Sequence, residues 1–288
     1  MSALQDKYIN PLTDFGFKKL FGTEPNKDLL IDFLNQILPE KHHIDELSYS
    51  RNEHLGHLHL DRKAIFDLYC IAKTGERFIV EIQKAKQNYF KDRSVYYSSF
   101  PIQEQAKKGN WDYQLDPVYT IGILDFIFDD HKNEQELIHF VELKNQRCEV
   151  FYDKLKFIYI ELPKFTKDEN DLETHFDKWL YVFRHLSNLQ NRPKALQEKV
   201  FTKLFEAAAI ANFTVEEKVA YEESLKYYRD MKNVVDTSRA EGRAEGKAEG
   251  IAESKVEIAQ KLKSKGMNHQ EIADITGLSM EEIQKLLS

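Results

Sequence analysis

The chain has 288 residues, 42% of them apolar and 31% charged, with a net charge of −7. At roughly 100–200 residues per domain this is one large domain or a core with a smaller appendage. The acidic balance excludes a strongly basic nucleic-acid-coating protein, so any such contact must come from a local patch. No apolar run nears the ~18 residues of a spanning helix, and residues 1–10 lack the basic-then-apolar order of a secretory leader, so the expected location is cytoplasmic with no membrane partner.

The first predicted element starts near Thr13 and breaks at Gly22. Thr23 or Glu24 can cap a second helix with Pro25 in its first turn, where a missing N–H costs nothing. Leu30, Phe33, Leu34, Ile37 and Leu38 recur at helical spacing until Pro39. From Glu46 to Lys84 the pattern changes to strands. Residues 64–72 and 78–83 are rich in β-branched and aromatic side chains and flank Lys73-Thr74-Gly75-Glu76, a hairpin signal. A helix is expected over residues 87–109, kinked at Pro101. Strands follow over 118–124, 138–143, 148–152 and 157–162. Trp179, Phe183 and Leu186 mark one amphipathic helix, and Val200, Leu204 and Phe205 another. Residues 239–250 repeat Arg/Lys-Ala-Glu-Gly three times. That stretch has no apolar face and is either a solvated helical linker or disordered, each glycine weakening a helix by about 1 kcal/mol. The tail, 254–288, is helical. Ala273, Gly277 and Ile283 have the spacing by which two helices pack across a tight turn, as in a helix-turn-helix. The tail carries five basic and six acidic residues from 253 to 288, so self-association suits it better than DNA reading. Cys70 and Cys148 are expected as small buried apolar residues, too few for a disulfide framework.

The chemistry is concentrated on the central hairpin. Asp67 and Glu81 are acidic residues inside apolar strands, and burying them is costly unless their charge is compensated. Side chains alternate along a strand, so Glu81 and Gln83 share a face. A three-residue loop, Thr74-Gly75-Glu76, would pair Lys73 with Arg77, set Asp67 opposite Gln83 and make Glu81 its diagonal neighbour. A two-residue loop would send Asp67 to the other face. Two converging carboxylates repel unless a proton or a cation lies between them. They suit Mg²⁺, which takes oxygen ligands and keeps several waters. Such a site, with an amine or amide beside it, is a phosphodiester-hydrolysis site in outline. Residues 84–110 carry six basic and two acidic side chains, a surface able to hold phosphates. Tyr89, Phe90, Tyr96, Tyr97 and Phe100 in the same stretch are expected in the core rather than as base-stacking platforms. Asp14 is expected as a helix cap rather than as a further contributor to the metal site. His54, His57 and His59 lack the second ligand cluster that zinc usually needs.

Five segments in order, 13–22 (TDFGFKKLFG), 61–67 (DRKAIFD), 78–84 (FIVEIQK), 90–97 (FKDRSVYY) and 119–126 (YTIGILDF), together with the charged Ala-Glu-Gly repeat, resemble the recombination-promoting nuclease, or transposase, family of the PD-(D/E)XK superfamily. The resemblance covers roughly residues 8–250. It implies an α/β fold, a restriction-endonuclease-like core with a mixed central sheet flanked by helices, here with an all-α C-terminal extension. It also implies Mg²⁺-dependent DNA cleavage, with Mn²⁺ as the alternative ion. Asp67 and Glu81, with the Ile82 carbonyl, would be the metal ligands. The signature's lysine position holds Gln83, and lysine is displaced to Lys84. The charge-stabilising group is therefore Gln83, Lys84, or a basic residue of the following helix. Lys86, Lys91 and Arg93 are the expected DNA contacts. The domain reading is a nuclease-like region over 1–235 (core about 13–165, helical part 170–235), a linker over 236–253 and the tail, a candidate for homo-oligomer formation. The rival reading is a catalytically inactive nucleic-acid-binding or self-assembling protein on the same fold.

Overall fold

The computed structural model describes residues 6–39, 42–50, 53–54, 64–106 and 112–287, with the side chains of 53, 54, 64, 65 and 287 excepted. Residues 1–231 and 232–288 form two compact units.

The first unit opens with α1 (Asp14–Phe21). Its N-cap is Thr13, whose Oγ1 accepts from the Gly16 N–H at 3.0 Å. Asp14 is therefore the first helical residue and not the cap; the shorter hydroxyl side chain one residue earlier already satisfies the free N–H. A short turn at Glu24–Asn26 leads into α2 (Lys27–Asn35). The strands are β1 (Leu47–Tyr49), β2 (Glu53–His54), β3 (Ala64–Ile65), β4 (Leu68–Ala72) and β5 (Arg77–Gln83). Next come α3 (Phe90–Glu104), β6 (Val118–Leu124), β7 (Ile138–Lys144) and β8 (Val150–Glu161). Helices α4 (His175–His185), α5 (Lys199–Ala208) and α6 (Val215–Ser264) follow, the last continuing into the second unit.

Six strands form one mixed sheet in the order β1-β4-β5-β6-β8-β7, and β2 and β3 pair by themselves. β5, β6 and β8 run parallel, and the outer pairings are antiparallel. Helices cover both faces, as the restriction-endonuclease-like α/β expectation requires. Leu68, Cys70, Phe78, Val80, Ile82, Tyr119, Ile121 and Ile123 point to one face and join the large core built with α1, α2, α4, α5 and the start of α6. The opposite face carries Tyr69 and Ile79 under Tyr97 and Phe100 of α3, and Leu124, Phe157 and Tyr159 under Phe90. α3 lies close to the sheet for two reasons. Its buried Ser94 and Ser98 are small, and Gly122 beneath it has no Cβ, which would stand 3.1 Å from Tyr159 and 3.5 Å from Phe90.

The structure corrects three further expectations. The hairpin loop is Lys73-Thr74-Gly75: Ile71 pairs with Arg77, the Ala72 N–H donates to the Glu76 carbonyl at 2.8 Å, and Gly75 takes φ +107°. The loop has three residues but starts one residue earlier, because only glycine fits the left-handed position that ends such a turn. The register then sets Asp67 against Glu81 instead of Gln83. Second, residues 148–152 and 157–162 are not separate strands. β8 runs unbroken from Val150 to Glu161, its polar middle tolerated beside the register shift against β7 at Glu142–Lys144. Third, Cys148 is exposed in a turn at φ +60°, whereas Cys70 is buried.

In the second unit α7 (His269–Thr276) and α8 (Met280–Leu287) pack with the end of α6 around Ala259, Ile272 and Ile283. An Asn268–Glu271 capping box opens α7 and left-handed Gly277 ends it. Residues 239–250 lie within α6. Among the described residues no helix is long and apolar enough to cross a membrane.

Candidate active site

Strand alternation decides which residues meet. On β5, Phe78, Val80 and Ile82 belong to the large core, so Glu81 and Gln83 point to the α3 face. On the neighbouring strand Leu68 and Cys70 share that core, and Asp67, in the bend just before β4, comes opposite Glu81 when the antiparallel register is continued by one residue. The two acids brace each other across the strands. The Asp67 N–H donates to Glu81 Oε1 at 3.3 Å, and Asp67 Oδ2 accepts the Ile82 N–H at 2.7 Å.

Both carboxyls titrate above the usual range. Burial is the largest cause for Glu81, which is only 8% exposed, and the Asp67 charge adds to it while Arg93 opposes. Burial also raises Asp67, against the Ile82 hydrogen bond and the Lys18 and Lys84 charges. No described residue forms an ion pair with Glu81. A buried and a half-buried carboxylate on adjoining segments, each penalised as an anion, are the donor set that a hard divalent cation fits.

Gln83 is buried with its amide committed: Nε2 donates to the Ala85 carbonyl at 2.8 Å, and Oε1 accepts from the Arg93 guanidinium. Arg93 also donates to Gln87 and lies over the rings of Phe90 and Tyr97, 5.1 and 5.7 Å from their centroids. It is thus turned inward, beside Glu81. Lys84 lies beyond the end of β5, free of strand alternation. It lines the same cleft as Asp67, its Nζ 5.2 Å from the Tyr227 ring centroid, and burial lowers its pKa. The cleft, about 810 Å³, is bordered by Asp14, Lys18, Asp67, Ile82, Gln83 and Lys84, with Ser224 and Tyr227 of α6 across from them.

Lys86 pairs with Asp129, and Lys91 pairs with Asp130 at 2.6 Å, all half or more exposed or nearly so. Of the aromatics expected in the core, Phe90 is buried, but Tyr89 is 79% exposed and Tyr96 44%. Lys107 and Lys108, like His57 and His59, lie outside the described residues, as does the side chain of His54. Sequence reasoning missed Lys18, whose charge acts on both acids and which pairs with Asp14 at 2.8 Å. The i, i+4 spacing on α1 was the signal for it.

A second cluster, His131, His139 and Glu161, could by ligand type hold a metal. Glu161 is fully buried and its oxygens are already taken: the Phe128 N–H donates at 2.7 Å, Lys164 Nζ lies at 2.7 Å, and the two imidazoles at 3.2 and 3.1 Å. Lys164, the Phe128 N–H and His139 hold its pKa below the usual range despite burial. Four donors around one carboxylate make a satisfied structural hub.

No curated protein and no solved structure matches the chain. A family model described as PD-(D/E)XK nuclease family transposase matches residues 11–238, most of the chain and the whole of the sheet and cleft, and the chain belongs to that family of nuclease fold.

Proposed function

We propose that the protein is a Mg²⁺-dependent DNA endonuclease of the recombination-promoting kind, able to use Mn²⁺, that hydrolyses phosphodiester bonds. The observation that carries this reading is the Asp67–Glu81 pair, hydrogen-bonded across two strands, with Glu81 buried and the half-buried Asp67 at the border of an open cleft. Asp67 and Glu81, with the Ile82 carbonyl, would hold the ion. Bound there, it would polarise a phosphoryl oxygen and acidify a water. Gln83, held by Arg93 and Ala85, and Lys84, its amine pKa lowered by burial, order the attacking water or the phosphate. The Arg93 guanidinium places a fixed positive charge beside Glu81, so the helix after the strand adds a cation to the site. Lys86 and Lys91 contact DNA phosphates. Their present partners are solvent-exposed aspartates, and such pairs are worth about 1 kcal/mol or less, so phosphates can displace them.

Mg²⁺-dependent plasmid nicking tests the assignment. Asp67→Ala and Glu81→Ala should each lower the rate by at least about 100-fold, the equivalent of a few kcal/mol of lost charge stabilisation, with circular dichroism unchanged. Undiminished nicking by either variant refutes it. The glutamine at the lysine position supports the rival reading, a nucleic-acid-binding protein without turnover. Bound but uncut DNA in Mg²⁺ and in Mn²⁺ would establish that one instead.

A further inference from the structure

Tyr89 lies six residues beyond Gln83, on the segment that joins β5 to α3. Its backbone is left-handed, φ 63° and ψ 27°, a region that disfavours side chains with a Cβ and is rarest for bulky ones. Packing does not explain the residue. The ring is 79% exposed, and among the described residues the side chain makes no hydrogen bond or ring contact. Only its backbone serves the helix, the carbonyl accepting the Arg93 N–H at 2.9 Å, and glycine would do that without strain. A bulky ring held in solvent on a strained backbone contributes nothing to the fold; strain of this kind clusters at functional sites.

Its surroundings indicate the ligand. Gln87 borders the carboxylate cleft and also a smaller recess of about 280 Å³ formed by residues 86–92 and 128–130, which includes Tyr89. Lys86 and Lys91 stand on either side of Tyr89 in the sequence and border the same recess, beside Asp92 and paired with Asp129 and Asp130, exposed partners that a phosphate can displace. A free aromatic face between two cations suits a nucleobase, which stacks on the ring while its flanking phosphates take the lysines. A base within a duplex has both faces covered by its neighbours, so a base on Tyr89 must be unpaired. We propose that Tyr89 is a base-stacking platform that makes single-stranded or locally unpaired DNA the preferred substrate of the adjacent site.

This inference rests on the DNA reading above, and its test separates the two. Binding of the full-length protein to a fluorescent 20-nucleotide single strand and to the matching duplex is measured by anisotropy in EDTA, beside thermal melting. Wild type should favour the single strand. Tyr89→Gly should weaken single-strand binding about 5- to 150-fold, the range for loss of one stacked base, with duplex binding nearly unchanged. Because it relieves the left-handed strain, it should melt at or above the wild-type temperature. Tyr89→Phe and Tyr89→Trp should bind like wild type. Single-strand binding by Tyr89→Gly equal to wild type overturns the proposal, as does equal loss on both DNAs with a lowered melting temperature, or failure of wild type to bind either DNA. Plasmid nicking with unaltered Tyr89→Gly binding leaves the nuclease reading intact and removes only this inference. Tyr89-dependent binding without nicking does the reverse.

Discussion

Glu81 concentrates the energetic cost of this site. Its folded pKa, raised from the ordinary 4.5 to about 8 by burial and the neighbouring Asp67, means that folding favours its protonated form. The sign follows from linkage. The penalty is absent below about pH 4.5, grows as pH rises, and is complete above the folded pKa. In EDTA, wild type should therefore lose stability relative to Glu81→Gln between about pH 4.5 and pH 8, with the variant melting higher at pH 8 and the two converging near pH 4.5. Adding Mg²⁺ at pH 8 should raise the wild-type melting temperature, since a ligand that binds only the folded state stabilises it, and leave Glu81→Gln unmoved. Parallel pH curves for the two proteins would show that Glu81 titrates normally. The acids were legible in the sequence because a carboxylate inside an apolar strand is conspicuous. Arg93 was legible as a charge but not as a partner of Gln83, because that contact depends on how closely α3 approaches the sheet, which Gly122, Ser94 and Ser98 decide.

The β4–β5 hairpin is the element that turns two distant acids into a pair. Side chains repeat every two residues, so a slip of one residue would send Asp67 to the opposite face from Glu81. The three-residue loop prevents that slip, and Gly75 closes it at φ +107° with Asp116 packed against the bare α-carbon; an added Cβ would stand 2.9 Å from Asp116 Cγ. Gly75→Ala should destabilise the first unit by roughly 1–3 kcal/mol, read from the urea midpoint at unchanged slope. A midpoint equal to wild type would mean that the loop is not what sets the register. The odd length of this loop followed from the chemistry, since only an odd turn keeps both acids on one face. Its position did not, because Thr74-Gly75-Glu76 and Lys73-Thr74-Gly75 differ only in where glycine takes the left-handed conformation. β8 was obscured for another reason. Asp153, Lys154 and Lys156 interrupt its apolar pattern where the strand is only partly covered, and local composition carries no record of the neighbour against which a strand pairs.

At the scale of the whole molecule the two units differ in how much core each has. The first holds nearly all the buried side chains, whereas the second has Ala259, Ile272 and Ile283 at its centre and leaves Ile258, Ile275 and Met280 exposed at 42%, 56% and 37%. A unit this small gains only a few kcal/mol from one core and commonly gains the rest from a partner. Gly242, Gly246 and Gly250 add nothing, with no neighbour within 4 Å of where a Cβ would stand. Tyr221 and Tyr228, by contrast, are buried in the first unit's core, with the Tyr228 hydroxyl on Asp125 at 2.7 Å. A chain ending at Asp236 keeps both tyrosines and the whole cleft. It should melt like the full protein and nick plasmid at the same rate in Mg²⁺, while its mass by light scattering falls from that of an oligomer to that of a monomer. Loss of nicking on truncation would place part of the nuclease machinery beyond Asp236, and an unchanged oligomer would assign self-association to the first unit.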